Sequence, residues 1–427
     1  MATPMERAPE PDLAYVPIPK ERYTSREFAA REWEGMWTKV WLMAGRASDI
    51  PEPGDYFTFE IGTESILVIR QRDGSIAARY NVCMHRGNRL REPGRGHAER
   101  FSCLFHGWEY DVDGRLVHVV DPECFPQGVA AERMSLRPVR CDTWAGFVFV
   151  NLDPAAEPLR DYLGVVPSHL DPYGFDTWKI AYDCTIEIEC NWKTSVDAFN
   201  EAYRLSATHA WTTEFSDDVN TVYDCYDRHT RMIFPEVQAS PRHPGGGTVT
   251  PGVKDFFLAR VGVDVASFRG GPKEARTAFA EAVPKMGPTL GANFSGLNES
   301  QMCDDFHYTV FPNLTLNTHS LFVWVFTHRP HPDDPNKMYF DFLNLVNTPA
   351  HDVPRPEKQL FRTADGDTLD GKCEGGNLMD EDLYNLPRIQ RGMRSAAFES
   401  LHLGKQEVRI LHFHDPLMRY LDGGNGA

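Results

Sequence analysis

The alternation of apolar and polar positions divides the chain into a β-rich first part and a mixed second part. Near the start, Thr24-x-x-Glu27 has the form of a capping box, and Phe28, Trp33, Trp37 and Trp41 then place aromatics roughly on one face. That pattern predicts an opening helix. DYFTFEIGTESILVIR, Asp55–Arg70, is two alternating apolar runs around a Gly-containing turn, a hairpin pattern. SIAARYNV, Ser75–Val82, follows a turn at Arg72-Asp73-Gly74, and WEYDVDGRLV, Trp108–Val117, is a second hairpin turning at Asp113-Gly114. WAGFVFVNL, Trp144–Leu152, is short and apolar throughout, which predicts a buried strand.

The second part opens on TIEIECNWK, Thr185–Lys193, a period-2 strand running into TSVDAFNEAYRLSATHA, Thr194–Ala210, whose composition favours helix. Residues 236–300 are irregular and rich in Gly and Pro, as a functional loop region is. Strand patterns return between Phe306 and Val346 in FHYTVFPN, SLFVWVFTHR and KMYFDFLNLV. Leu386–Leu401 and the segment around Leu417–Leu421 read as helices. The expected class is α+β, with a β-rich domain inserted before or within a larger domain whose sheet is mainly antiparallel. The expected boundaries are a Pro-rich disordered lead over 1–18, a helix over 19–44 packing on the larger domain, the β-rich domain over 45–155, and the larger domain over 156–427.

Composition narrows the function. A chain of 427 residues that is 41% apolar and 25% charged is an ordinary globular protein, which excludes disorder, collagen and coiled coil. Its net charge of −17 argues against nucleic acid or an anionic membrane as the main partner. Apolar runs such as Leu321–Phe326 fall far short of the ~20 residues of a membrane helix. The first twenty residues lack the basic-then-apolar order of a signal peptide. With nine cysteines and no export signal, the expectation is a reducing cytoplasm and free thiols, so cysteines that matter should be metal ligands or catalysts. Cys124, Cys141, Cys184, Cys190, Cys225, Cys303 and Cys373 sit at scattered spacings and receive no role.

The strongest motif is Cys83-Met84-His85, then seventeen residues, then Cys103-Leu104-Phe105-His106. Two thiolates and two imidazoles suit zinc or an iron–sulfur cluster. Zinc fingers usually pair Cys with Cys and His with His, whereas each loop here mixes one of each. Mixed loops serve two different metal ions, one held by both cysteines and the other by both histidines, which is the Rieske [2Fe–2S] pattern. Arg86-Gly87 and Gly107-Trp108 complete the form C-x-H-R-G … C-x-x-H-G-W.

On these residues the chain, from about Ser25 to Leu421, resembles the α subunits of Rieske non-haem iron oxygenases, the aromatic-ring-hydroxylating dioxygenases. The resemblance implies a Rieske domain followed by a helix-grip catalytic domain with mononuclear Fe²⁺. It also implies electrons from NAD(P)H through a ferredoxin or ferredoxin reductase, O₂ and a small organic substrate. The expected assembly is a homotrimer or α3β3, with a possible β subunit or second α subunit. Asn191-Trp192-Lys193 matches the family's strand end. Glu201 then falls on the acidic position that bridges metal centres across subunits, one methylene longer than the usual Asp. His209 falls on the second iron-ligand His, and Asp382, in Glu381-Asp382 … Gln390-Arg391-Gly392, on the carboxylate ligand. Asp197 is placed to support the bridge. Arg204 occupies the first His ligand position, and a guanidinium has no lone pair for a metal. Either another group completes the site, with His307, His319, His229, His412 and His414 as the possible rescuers, or Arg204 pairs with Glu201 or Asp382 and replaces the metal by a salt bridge. In the second case the chain is an α-like subunit that keeps the cluster for electron transfer or assembly.

Overall fold

The structure, a computed structural model, describes residues 5–423 and divides them into two compact units, 36–164 and the remainder, which joins the N-terminal segment to 165–423. In the first unit the alternating segments form a seven-stranded antiparallel sheet. Its order is Leu42–Arg46, Phe147–Asn151, Pro138–Trp144, Ile76–Tyr80, Glu64–Arg70, Asp55–Ile61 and Arg95–His97. Arg100–Ser102, Glu109–Asp111 and Leu116–His118 make a second, three-stranded sheet. Leu67, Ile69, Leu90, Phe101, Trp108 and Tyr110 form one buried cluster together with Cys83 and Cys103. The two thiols are therefore built into the core and not hung on surface loops.

The second unit is centred on an eight-stranded sheet. Its order is Val222–Cys225, Thr230–Phe234, Asp305–Val310, Leu314–Thr318, Phe322–Pro330, Met338–Val346, Lys179–Ile188 and Gln359–Arg362. Every pairing is antiparallel except the last, which is parallel. Asp305–Val310 is buried at every residue, so both of its faces are covered. This is the expected α+β class with a mainly antiparallel sheet. Among the described residues, no helix is long and apolar enough to cross a membrane.

Several elements differ from the sequence reading. Of the lead, residues 1–4 lie outside the described residues. The rest is anchored: Arg7 donates to Asp224 at 2.8 Å, Arg231 donates to the Glu6 carbonyl, and Ile18–Pro19 pairs with Ser400–Leu401. A pair of charges and a two-residue ladder leave no hydrophobic periodicity to read. The opening helix is capped by Ser25, whose hydroxyl accepts from the Phe28 N–H, one residue beyond the expected Thr24. The strand expected over Thr185–Lys193 starts earlier and stops at Ile188, because the Asn191 side chain caps a helix at Trp192–Ala198.

The helix expected over Thr194–Ala210 breaks after Ala198 and resumes only at Leu205–Thr208. Polar side chains take over the backbone's hydrogen bonds there: the Glu201 carboxylate accepts from the Arg204 N–H at 2.8 Å. Residues 236–300 are not irregular throughout, since Pro272–Ala282 is a helix. The C-terminal helices are Gly376–Met393 and Val408–Leu421, each containing a buried proline, Pro387 or Pro416. Proline reads as a helix start from sequence alone, and here packing outweighs the lost hydrogen bond.

One buried ion pair fixes the helix that leads to the site. Lys193 Nζ lies 2.6 Å from Glu32, both side chains almost fully buried, and the Trp192 indole N–H donates to the same carboxylate. Glu32 sits on the opening helix, Arg26–Glu32, so the pair ties the N-terminal segment to the strand end. Gln390 clamps the same place, accepting from the Asn191 N–H and the Thr194 hydroxyl and donating to the Tyr23 carbonyl. Replacing Lys193 by Met leaves Glu32 buried without a countercharge. The expected loss is about 3–5 kcal/mol in a chemical-denaturation measurement. The double replacement Lys193→Met with Glu32→Leu should recover most of it, because no charge then remains to be buried.

Candidate metal centres and cavity

The two Cys/His loops of the first unit are copies of one another in hydrogen bonding. In each, the cysteine carbonyl accepts from the glycine four residues on: Gly87 to Cys83 and Gly107 to Cys103, both at 2.9 Å. Each cysteine N–H in turn donates across the loop, to the Asn88 carbonyl or the Trp108 carbonyl, both at 2.8 Å. Gly87 and Gly107 take φ of 79° and 71°, the left-handed region that lets such a loop close. The loops bring the imidazoles of His85 and His106 to a centroid separation of 4.6 Å. His85 stacks flat on Trp108 at 4.8 Å.

The sulfurs have partners suited to thiolates. The Tyr110 hydroxyl lies 3.4 Å from Cys83 Sγ, and the Asn88 amide donates to Cys103 Sγ at 3.7 Å. Burial opposes ionisation of Cys103, but the N–H groups of Phe105 and His106 reverse that and draw its thiol down. Nδ1 of His85 is buried without a hydrogen-bond partner. A two-iron cluster takes two protein ligands per iron, so a pair of thiols, a pair of imidazoles and an unpartnered ring nitrogen fit it. Around the loops, Leu104 and Phe105 are the exposed tip, 92% and 61% accessible.

In the second unit, Glu201, Arg204 and His209 come from the broken helix, and Asp382 from Gly376–Met393. The structure brings all four together. Arg204 grips Asp382 as a fork: Nε donates to Oδ1 and Nη2 to Oδ2, both at 3.1 Å. Its Nη1 donates to the Glu201 carbonyl at 2.9 Å and lies 3.5 Å from the Glu201 carboxylate. His209 Nε2 is 3.3 Å from Asp382 Oδ1, while its Nδ1 is 2.6 Å from Glu381. Burial alone would raise the Asp382 carboxyl, but Arg204 and His209 hold it at about 2. Burial raises Glu201, with Arg204 opposing.

This donor set does not fit a mononuclear iron held by two His and one carboxylate. Arg204 supplies no lone pair, and both Asp382 oxygens already accept from it. Among the described residues, no three His, Cys, Asp or Glu side chains converge as a single-ion cage. Of the possible rescuers, His307 and His319 line the adjacent cavity. His229 accepts from the Phe311 N–H, His414 is bonded to Tyr23, and His412 is buried on the last helix. Asp197 is also buried, pushed up to about 7 chiefly by that burial, and its carboxyl lies 2.6 Å from the Tyr23 hydroxyl.

Beside Arg204 opens a cavity of about 310 Å³. Phe199, Trp211, Phe215, Phe257, Phe322 and Trp324 are among its walls, with Glu236, Asp305, Asn317 and His319 on the sheet side. The sequence reading misses Glu381 as the partner of His209; it expects the pocket to be lined from 236–300 and from the strands of 306–346, where Glu236, Asn317 and Trp324 fall, with Asp305 one residue outside. Period-2 alternation through Asp305–Val310 puts Asp305 and His307 on one face, but not on which face the cavity lies.

Residues 175–423 match the family described as ring hydroxylating alpha subunit, catalytic domain, and residues 40–130 match the Rieske [2Fe–2S] domain. The chain is 29% identical over 384 residues to the chlorobenzene dioxygenase subunit alpha of Cupriavidus sp. (strain PS12), covering 87% of this chain and 79% of that one. It is 32% identical over 194 residues to the glycine betaine monooxygenase oxygenase subunit of Chromohalobacter salexigens, covering 45% and 43%. In fold it is similar to the quaternary ammonium Rieske monooxygenase CntA, with a TM-score of 0.70 and 21% identity over 97% of this chain and 99% of that one. It is also similar to naphthalene 1,2-dioxygenase, with a TM-score of 0.68 and 19% identity over 95% and 92%.

The loop geometry makes a spectroscopic prediction. Cys103→Ser should abolish the visible absorbance and the Rieske EPR signal of the purified protein. Asn88→Ala removes only a hydrogen bond to the sulfur, so it should keep the cluster and shift its midpoint potential. A normal EPR signal from the Cys103→Ser protein refutes the ligand assignment.

Proposed function

The chain belongs to the ring-hydroxylating α-subunit family, with a Rieske [2Fe–2S] domain ahead of its catalytic domain, and from that premise we propose that it is the electron-accepting α subunit of a multicomponent oxygenase. Its curated relatives include dioxygenases and monooxygenases, and its catalytic domain is of the type that binds mononuclear iron. In this reading Cys83, His85, Cys103 and His106 hold the cluster, which supplies one-electron transfer when bound. A ferredoxin or ferredoxin reductase delivers electrons that originate from NAD(P)H. The cavity beside Glu201 and His209 takes a small organic substrate, and the assembly is a trimer or α3β3, so that the cluster of one protomer serves the Glu201 bridge of the next. The observation that carries the reading is the pair of matched Cys/His loops in a chain that also keeps an aromatic-walled cavity.

What this chain's own residues do in that cavity follows from their contacts. Apolar walls exclude water from the substrate's body. Glu201 is held in place through the Arg204 backbone N–H, and His209 is oriented by Glu381. A specific observation, the Arg204–Asp382 fork, favours a second reading of the chain's part in the reaction. In that reading the subunit keeps the cluster for electron transfer or assembly beside a complete α subunit, while the fork fills the place of the iron.

Metal analysis separates the two. With the cluster contributing two irons, total iron should be near two per protomer. Arg204→His removes a cation that never deprotonates and frees Asp382, so iron should rise towards three, with O₂ consumption coupled to substrate. Three irons in the wild type would return the hydroxylating role to this chain. A folded Arg204→His protein with its cluster full and no added iron would leave the carrier reading standing alone.

A further inference from the structure

The charges lining the cavity are shared unevenly. Arg204 is committed to Asp382 and Glu201, and at another wall Arg260 is paired with Glu374. Next to the cavity, Asp304 is neutralised by Arg276. The remaining lining acids are Glu236 and Asp305, and between them stands a single imidazole, His319. Its Nδ1 is 3.3 Å from Glu236 and its Nε2 is 3.9 Å from Asp305. His319 stacks on Phe322 at 4.3 Å, which fixes its ring. Oδ1 of Asp305 is buried without a hydrogen-bond donor, Glu236 Oε2 has only the His319 ring beside it, and Asp305 is only 8% exposed. Arg409 also lies nearby: its Nε and Nη2 donate to Thr230, Thr309 and His307, and its Nη1 is buried without a hydrogen-bond partner.

A second, independent set of unsatisfied groups lies one row along the same sheet. Met232, His307, Asn317 and Trp324 are successive cross-strand partners on four adjacent strands, and all line the cavity. His307 Nδ1 accepts from Arg409 at 3.0 Å, so the proton of this neutral ring is on Nε2. That Nε2–H has no partner, and neither do the amide nitrogen of Asn317 and the indole nitrogen of Trp324. Buried polar groups are normally paired. Asp305, with Glu236 just beyond the end of the neighbouring strand, and three donors in the next row are a bipolar pattern awaiting a ligand.

We propose that the cavity binds a primary or secondary ammonium compound. Its N–H groups donate to Glu236 and Asp305, its apolar body lies between the aromatic walls, and an oxygen acceptor on that body meets His307 and Asn317. The N–H requirement is chemical: an unpartnered Asp305 oxygen and a Glu236 oxygen that has only His319 call for donors, which a quaternary ammonium lacks. Asp305 and His307 are two residues apart along one strand, so the nitrogen at Asp305 and the oxygen acceptor should be separated by roughly 6–7 Å. The inference rests on the proposed function only in taking this cavity as the substrate's place, and does not depend on iron at Arg204.

The test is calorimetric titration of the purified, cluster-loaded protein with three ligands of one shape: 4-methoxybenzylamine, 4-methoxybenzyl alcohol and 4-methoxybenzyltrimethylammonium. The amine should bind at least about tenfold more tightly than either of the others. Glu236→Gln and Asp305→Asn should each weaken amine binding by about tenfold and leave the alcohol unchanged. An alcohol or a quaternary ion that binds as well as the amine overturns the proposal. So do variants that weaken all three ligands equally. If a variant fails to fold, judged by its thermal transition, the wild-type ligand series decides alone. Failure here with an intact cluster spectrum leaves the electron-accepting reading untouched, whereas a missing cluster refutes that reading whatever the amine does.

Discussion

The site in the second unit depends on a buried charge pair that cannot be broken from one side. A guanidinium and a carboxylate shielded from water repay their desolvation only by facing one another, and the Arg204–Asp382 fork does this with two parallel hydrogen bonds. The fork joins the broken stretch after Ala198 to the helix Gly376–Met393. It also sets the neighbours: the Arg204 backbone holds the Glu201 carboxylate, and His209 turns one ring nitrogen to Glu381. The local helix gives way at this point because side chains satisfy the backbone better than the next helical turn would.

The two units solve opposite electrostatic problems. In the first, burial disfavours thiolates, and the loops answer with N–H groups and a tyrosine hydroxyl aimed at sulfur. In the second, the same low dielectric disfavours every unpaired charge, and the answer is pairing: Lys193 with Glu32, Arg231 with Asp224, Arg276 with Asp304. Glu236 and Asp305, sharing one imidazole, stand out against that habit.

The first unit was largely legible in the sequence, because its function is written in contiguous loops. Cys83, His85 and Gly87 lie within five residues, and the loop geometry needs those residue types at those spacings. The strands were legible where one face alternates, as in Asp55–Arg70. The second site was legible only through the resemblance, since Arg204 and Asp382 are far apart in the chain and their pairing is a tertiary event. The missed helix break has the same origin, because nothing local in Glu201-Ala202-Tyr203-Arg204 announces that a carboxylate will take a backbone N–H. Fully buried strands such as Asp305–Val310 hide the orientation of their polar residues, because both faces are covered.

The contact between Tyr23, Asp197 and His414 has a consequence for proton inventory. The phenol oxygen lies 2.6 Å from the Asp197 carboxyl and 2.8 Å from His414 Nε2, yet a hydroxyl carries one hydrogen. Two arrangements fill both gaps. In one, Asp197 is protonated and donates to the phenol, which donates to the ring; in the other, the phenol donates to ionised Asp197 and receives from His414 Nε2–H. Burial keeps the His414 ring neutral, so the second arrangement fixes its tautomer. The ionisation of Asp197 and the tautomer of His414 are then a single variable, read at two places 217 positions apart in the chain. A spectroscopic probe of either residue reports the state of both.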